Sequence, residues 1–137
     1  TDVRGVLEDV RRAVALRPES RDMQLELVCQ GDWLVALADS QRLAQVVANL
    51  ASNAVKYGSA AGAVIFKASR VHDMVRIEII DNGPGLSVEK QAQLSTVEGH
   101  GIGLALAKRL TELQGGTIGV TSQLGEGCTF WIELPTA

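Results

Sequence analysis

A surplus of positive charge is the first thing this chain lacks. Its 13 lysines and arginines stand against 16 aspartates and glutamates, a formal net charge of -3. No general electrostatic attraction therefore draws it to nucleic acid or to an anionic membrane. Cysteine is scarce: Cys29 and Cys128 lie far apart, and neither they nor His72 and His100 have the spacing of a zinc site. Both cysteines sit among apolar neighbours and read as small core side chains rather than a disulfide, which favours a reducing, cytosolic setting. No apolar run approaches the roughly 18 residues of a membrane span, so no direct membrane contact is expected of this segment. A secretory leader, an internal repeat and a low-complexity tract are absent too. So is an initial methionine, and the chain is expected to be a piece of a larger protein.

What is present suits one folded domain. The chain has 137 residues, 46% hydrophobic and 21% charged, enough for a real core and too few for two domains. In DVRGVLEDVRRAVAL (2–16) the apolar positions Val3, Val6, Leu7, Val10 and Val14 recur with helical spacing, and Pro18 ends the run. MQLELV (23–28) alternates as a strand, and WLVALA (33–38) reads as a second one. Asp39 or Ser40 can cap a helix that runs to about Tyr57 and stops at Gly58. AVIFKASRV (63–71) and MVRIEIID (74–81) form strands joined by a tight His72-Asp73 turn. In the latter, Val75, Ile77 and Ile79 share one face, and the same parity carries Asp81 to the buried side. GHGIG (99–103) opens into LALAKRLTELQ, a helix closed by Gly115-Gly116. TIGVTSQL (117–124), a GEG turn and CTFWIEL (128–134) complete a terminal hairpin. Five or six strands and three main helices follow, best accommodated by a mixed sheet with helices on one face.

Three clusters carry the chemical interest. On the helix over 41–57, Leu43, Val46, Val47, Leu50, Ala54 and Val55 make the core side, while Arg42, Gln45, Asn49, Asn53 and Lys56 form one polar stripe. Such a stripe serves equally as a solvated helix face or as the wall of a cleft. DNGPG (81–85) follows a strand directly, where Gly83 and Gly85 suit either a plain turn or close backbone approach to a ligand. An inward Asp81 wants a donor, such as the amino group of a ligand. GHGIG ahead of a helix has the form of a phosphate cradle, a weak signal by itself.

Taken in order, these residues resemble the catalytic ATP-binding domain of bacterial sensor histidine kinases, in the superfamily that includes gyrase, Hsp90 and MutL ATPases. RLAQVVANLASNAVKYG resembles the N box, DNGPG the G1 box, GHGIGLALAKRL the G2 box, and GEGCTFWIELP the closing glycine-aromatic hairpin. The resemblance covers roughly residues 40 to 135. It implies an α+β fold, a two-layer α/β sandwich of the Bergerat type, with a mixed, mostly antiparallel sheet of about five strands and three main helices on one face. ATP and Mg2+ are the implied cofactors. Asn53 would ligate the ion through its amide oxygen, with Asn49 assisting at the ion, its waters or the phosphates. Lys56 would offset phosphate charge, and Asn49 and Lys56 carry the catalytic assignment. Tyr57 would cover the adenine and Asp81 accept from its amino group, with Gly83 and Gly85 admitting the base. Gly99, Gly101 and Gly103, followed by Leu104, would wrap the phosphates. Thr129 matches a nucleotide-site threonine by motif position. Alternation, however, places it on the face opposite Cys128, Phe130 and Ile132 unless a bulge intervenes.

The superfamily's hydrolases resemble one another in a water-activating glutamate one helical turn before the magnesium asparagine. Asn49 stands there, and an amide cannot act as that base. The resemblance thus implies phosphoryl transfer to a histidine on a separate dimerisation and phosphoacceptor domain, with a response regulator downstream. The alternative is a nucleotide-binding regulatory module without transfer. Neither His72, in a hairpin turn, nor His100, in the glycine loop, has the context of that acceptor. Between the G1 and G2 boxes the family has a longer lid with a phenylalanine-rich box, whereas LSVEKQAQLSTVEGHG contains no aromatic residue. The expectation is that lid residues are missing at a Ser95-Thr96 junction, with a naturally short lid as the alternative.

Overall fold

Helices line one face of a five-stranded sheet in the computed structural model, which describes residues 1–18, 22–31, 34–57, 62–82, 104–123 and 127–136. In chain order the elements are α1 (Val3–Ala15), β1 (Gln24–Gln30), α2 (Ser40–Tyr57), β2 (Ala63–Val71), β3 (Met74–Asp81), α3 (Leu104–Leu113), β4 (Thr117–Gln123) and β5 (Gly127–Pro135). The sheet order is β1-β2-β3-β5-β4. β1 runs parallel to β2, with α2 in the connection, and the other neighbours are antiparallel. This is the expected mixed, mostly antiparallel two-layer α/β sandwich.

The core is built from the expected periodicities. Val3, Val6, Leu7, Val10 and Val14 of α1 are buried, as are Leu43, Val46, Val47, Leu50, Ala54 and Val55 of α2. They meet the inward sheet face, where Val64, Phe66 and Ala68 of β2 lie beside Val75, Ile77 and Ile79 of β3. Phe130, Ile132 and Leu134 of β5 extend that layer. On the other face Arg76 donates to Glu133 Oε1 at 2.8 Å, and its guanidinium stands 4.5 Å from the centre of the Trp131 ring. Such contacts across a half-exposed sheet face contribute modestly.

One expected strand is not a strand. Among the described residues of the 33–38 run, Leu34 to Ala38, there are only isolated bridges, Asp2 with Val35 and Ala36 with Thr136. Its backbone is shared between the two chain ends: the Ala36 amide donates to the Thr1 carbonyl at 3.0 Å, and the Leu37 amide to the Pro135 carbonyl at 2.9 Å. With hydrogen bonds going to different partners on successive residues, no continuous ladder forms. Leu34 and Ala36 still point into the core, which is why the run reads as alternating.

The helix ends follow their sequence signals. Asp39 Oδ1 accepts the amides of Gln41 at 2.8 Å and Arg42 at 3.3 Å, capping α2. At the end of α3, Gly115 takes φ 79°. The Gly116 amide returns to the Thr111 carbonyl and the Gly115 amide to that of Glu112, at 3.0 Å each. That pairing is a Schellman ending, which requires the left-handed residue glycine supplies. The exposed His72 turns β2 into β3 with φ 55°. Cys29 on β1 and Cys128 on β5 both remain thiols, and partial burial pushes the Cys29 thiol above its ordinary range. Among the described residues no helix is long and apolar enough to cross a membrane.

Phe130 is fully buried on the inward face of β5, between Ile79 of β3 and Val120 of β4. Phe130→Ala should lower unfolding free energy by about 3–5 kcal/mol, measured by denaturant titration. A cost under about 1 kcal/mol would show that the site collapses around the cavity.

Candidate functional site

The polar stripe of α2 changes character along its length. Arg42 and Gln45 are exposed, Asn49 is half-buried, and Asn53 is only 5% exposed. Asn49 Oδ1 is itself shielded from solvent. The stripe therefore begins as a solvated face at Arg42 and Gln45 and is buried by Asn53. Burying an amide costs free energy unless its oxygen and nitrogen find partners. Asn53 is thus a buried polar side chain in the last two turns of α2.

Opposite this helix lies the end of β3. Asp81 is 3% exposed and continues the inward line of Val75, Ile77 and Ile79. In register it stands between Val64 of β2 and Cys128 of β5. α2 packs against both β3 and β5, and Asn53 on α2 and Asp81 on β3 are both buried. They are two of the three buried polar or charged side chains among the described residues. The third, Thr111, donates to the Ala107 carbonyl at 2.7 Å within its own helix.

Thr129 does not join this group. Alternation along β5 holds without a bulge, leaving Thr129 on the outer face opposite Ile80 and Thr121. The inward neighbour of Asp81 is Cys128, which the sequence reading took for core alone. Gly127, just before it, was not singled out in the sequence, yet its backbone abuts Asp81. Its signal was the second glycine of GEG, which a turn alone also explains. Gly83, Gly85, Gly99, Gly101, Gly103, His100 and the Ser95-Thr96 junction lie outside the described residues. The side chains of Lys56, Tyr57 and Leu104 do too, although their backbones lie in α2 and α3.

Known proteins resemble this chain in sequence and in fold. Residues 38–137 match the profile of the family described as Histidine kinase-, DNA gyrase B-, and HSP90-like ATPase. The chain belongs to this family. The family's curated relatives include the adaptive-response sensory kinase SasA of Synechococcus elongatus, 33% identical over 95% of this chain and 36% of its own length. Another is the sensor histidine kinase ZraS of Escherichia coli, 32% identical over 98% of the chain and 30% of its own length. The chain thus spans about a third of these relatives. Drug sensory protein A of Synechocystis is 30% identical over 154 aligned positions, covering 97% of this chain and 23% of that protein. Because 154 exceeds the 137 residues here, that relative carries insertions. Among solved structures, full-length ShkA in complex with AMPPNP superimposes with a TM-score of 0.83 at 34% identity, covering all of this chain and 31% of ShkA. The catalytic domain of histidine kinase ThkA gives 0.84 at 21% identity over 99% of this chain and 93% of its own, a likeness of fold.

A family member's N-box helix must be held at its start as well as packed along its length. Asp39→Ala should cost about 1 kcal/mol through loss of the α2 cap, read by thermal or denaturant unfolding. Asp39→Ser should retain most of the stability, and equal losses would mean that capping is not what Asp39 contributes.

Proposed function

We propose that this domain binds Mg-ATP between α2 and the end of β3 and donates the γ-phosphoryl group to a histidine on a separate dimerisation and phosphoacceptor domain, in two-component signalling. The observation that carries the reading is that a buried amide, Asn53 on α2, and a buried carboxylate, Asp81 on the inward face of β3, occur in the two layers of this fold. Asp81 accepts the exocyclic amino group of adenine, a choice a carboxylate makes well and one that disfavours guanine. The AMPPNP bound by ShkA supports a nucleotide in this fold.

The donor set fits Mg2+. Among the described residues no group of three His, Cys, Asp or Glu side chains could cage a metal, so an ion here would draw on amide oxygens, phosphates and water. Mg2+ characteristically accepts such ligation, keeping waters and leaning on substrate phosphates. Asn53 would hold it, with Asn49 at its waters, and when bound it neutralises charge on the phosphates. Lys56, three residues after Asn53 in the sequence, would offset phosphate charge. Phosphoryl transfer asks of the protein mainly alignment and charge stabilisation, which these residues offer on the donor side.

Asn49 separates kinase from hydrolase. It sits one turn before Asn53 on a continuous helix, where a carboxylate would be needed to take a proton from water. The transfer reading therefore requires an acceptor histidine outside this domain. A response regulator downstream and a cytoplasmic setting belong to the same proposal. The lid segment, with no aromatic residue between Leu86 and Gly99, favours a second reading, a nucleotide-binding module that regulates without transfer.

Supplied with γ-labelled ATP and the histidine-bearing hairpin of its parent protein, the domain should place acid-labile label on that hairpin. Confirmed Mg-ATP binding without label would decide for the regulatory module. Asn53→Ala should weaken Mg-ATP binding about tenfold or more, near 1.4 kcal/mol, while the circular dichroism spectrum stays unchanged. Unaltered affinity would remove Asn53 from the site.

A further inference from the structure

Asp81 is the last residue of β3, where a strand is most prone to fray, yet its backbone is gripped on both flanks. On one side Asn82 Oδ1 accepts the Ala63 amide at 2.9 Å, tying the residue after Asp81 to the start of β2. On the other, Gly127 opens β5 with φ 91°. A Cβ there would collide with the Asp81 carbonyl oxygen and stand 3.1 Å from Asn82 Cα. An L side chain is strained at that φ in any case.

We infer that Asn82 and Gly127 are positioning residues that fix the Asp81 carboxylate for selection of the nucleotide base, a role that rests on the proposed reading of Asp81 as the base acceptor. Asn82 is exposed and Gly127 has no side chain, so neither contributes apolar core. What they hold is the endpoint of the strand. A displaced carboxylate keeps its charge and burial but loses alignment with an amino group, and small misplacements at a recognition site are costly.

The test compares ATP and GTP affinities by calorimetry, alongside melting temperatures. It uses the unmodified chain and the variants Asp81→Asn, Asn82→Ala, Gly127→Ala and Gly115→Ala. Gly115 is the matched control, because it shares a positive φ of 79° but meets Pro135 rather than Asp81. Asn82→Ala and Gly127→Ala should each cut the preference for ATP over GTP by about tenfold. Gly115→Ala should lower the melting temperature and keep the preference. If Asn82→Ala and Gly127→Ala retain the parent's preference, or Gly115→Ala loses as much, the positioning role is overturned. Should Gly127→Ala fail to fold, Asn82→Ala decides. Failure of the base reading itself appears separately, as no ATP preference in the parent chain or an unchanged one in Asp81→Asn. Either result overturns the inference along with it.

Discussion

The inward parity of β3 is the constraint on which the molecule's arrangement depends. Val75, Ile77 and Ile79 are all fully buried, and each anchors the strand against the helical layer. Alternation then leaves Asp81 no choice of face. A one-residue slip of register would bring Asp81 to the outer face, but it would also expose three core residues, each contributing about 1.5–3 kcal/mol by its burial. The packing of its apolar neighbours thus sets the face on which the carboxylate lies.

The same logic operates on α2. Its core side is continuous from Leu43 to Val55, so the rotation of the helix is fixed by apolar contacts and the opposite stripe must lie where it lies. What differs along the stripe is the covering: open at Arg42 and Gln45, closed at Asn53. Asparagine is a mediocre helix former, and a buried one adds a desolvation cost. The fold tolerates both costs in the last two turns of α2. Stability is thus supplied by one face of each element, and polar chemistry is concentrated where the elements end.

Much of this was legible in the sequence because periodicity reports packing. The four core valines and one leucine of α1, the core side of α2 and the burial of Asp81 all follow from spacing alone. The 33–38 run was misread for a physical reason. Its alternation of buried Leu34 and Ala36 is real, but a strand also needs one partner along its whole length. Here the partners are Thr1 and Asp2 on one side and Pro135 and Thr136 on the other. Such tertiary pairing leaves no local signal. Thr129 shows the opposite limit: motif position suggested the site, whereas strand parity, already readable, placed it on the outer face. Gly127 was hidden because a turn glycine and a glycine in close contact are written with the same letter.

The chemistry of position 49 bears on why a donor domain would be built this way. An Asn in place of a carboxylate withholds the base that would deliver water to the γ-phosphate, so bound nucleotide would persist until another nucleophile arrives. In the proposed reading that nucleophile is an imidazole, which needs no base on this domain because its neutral ring nitrogen already carries a lone pair. The buried Asn53 and Asp81 then hold and select the nucleotide, while the reacting partner is supplied from outside. Such a division separates recognition, fixed by the packed ends of α2 and β3, from the timing of transfer, which depends on when the acceptor docks.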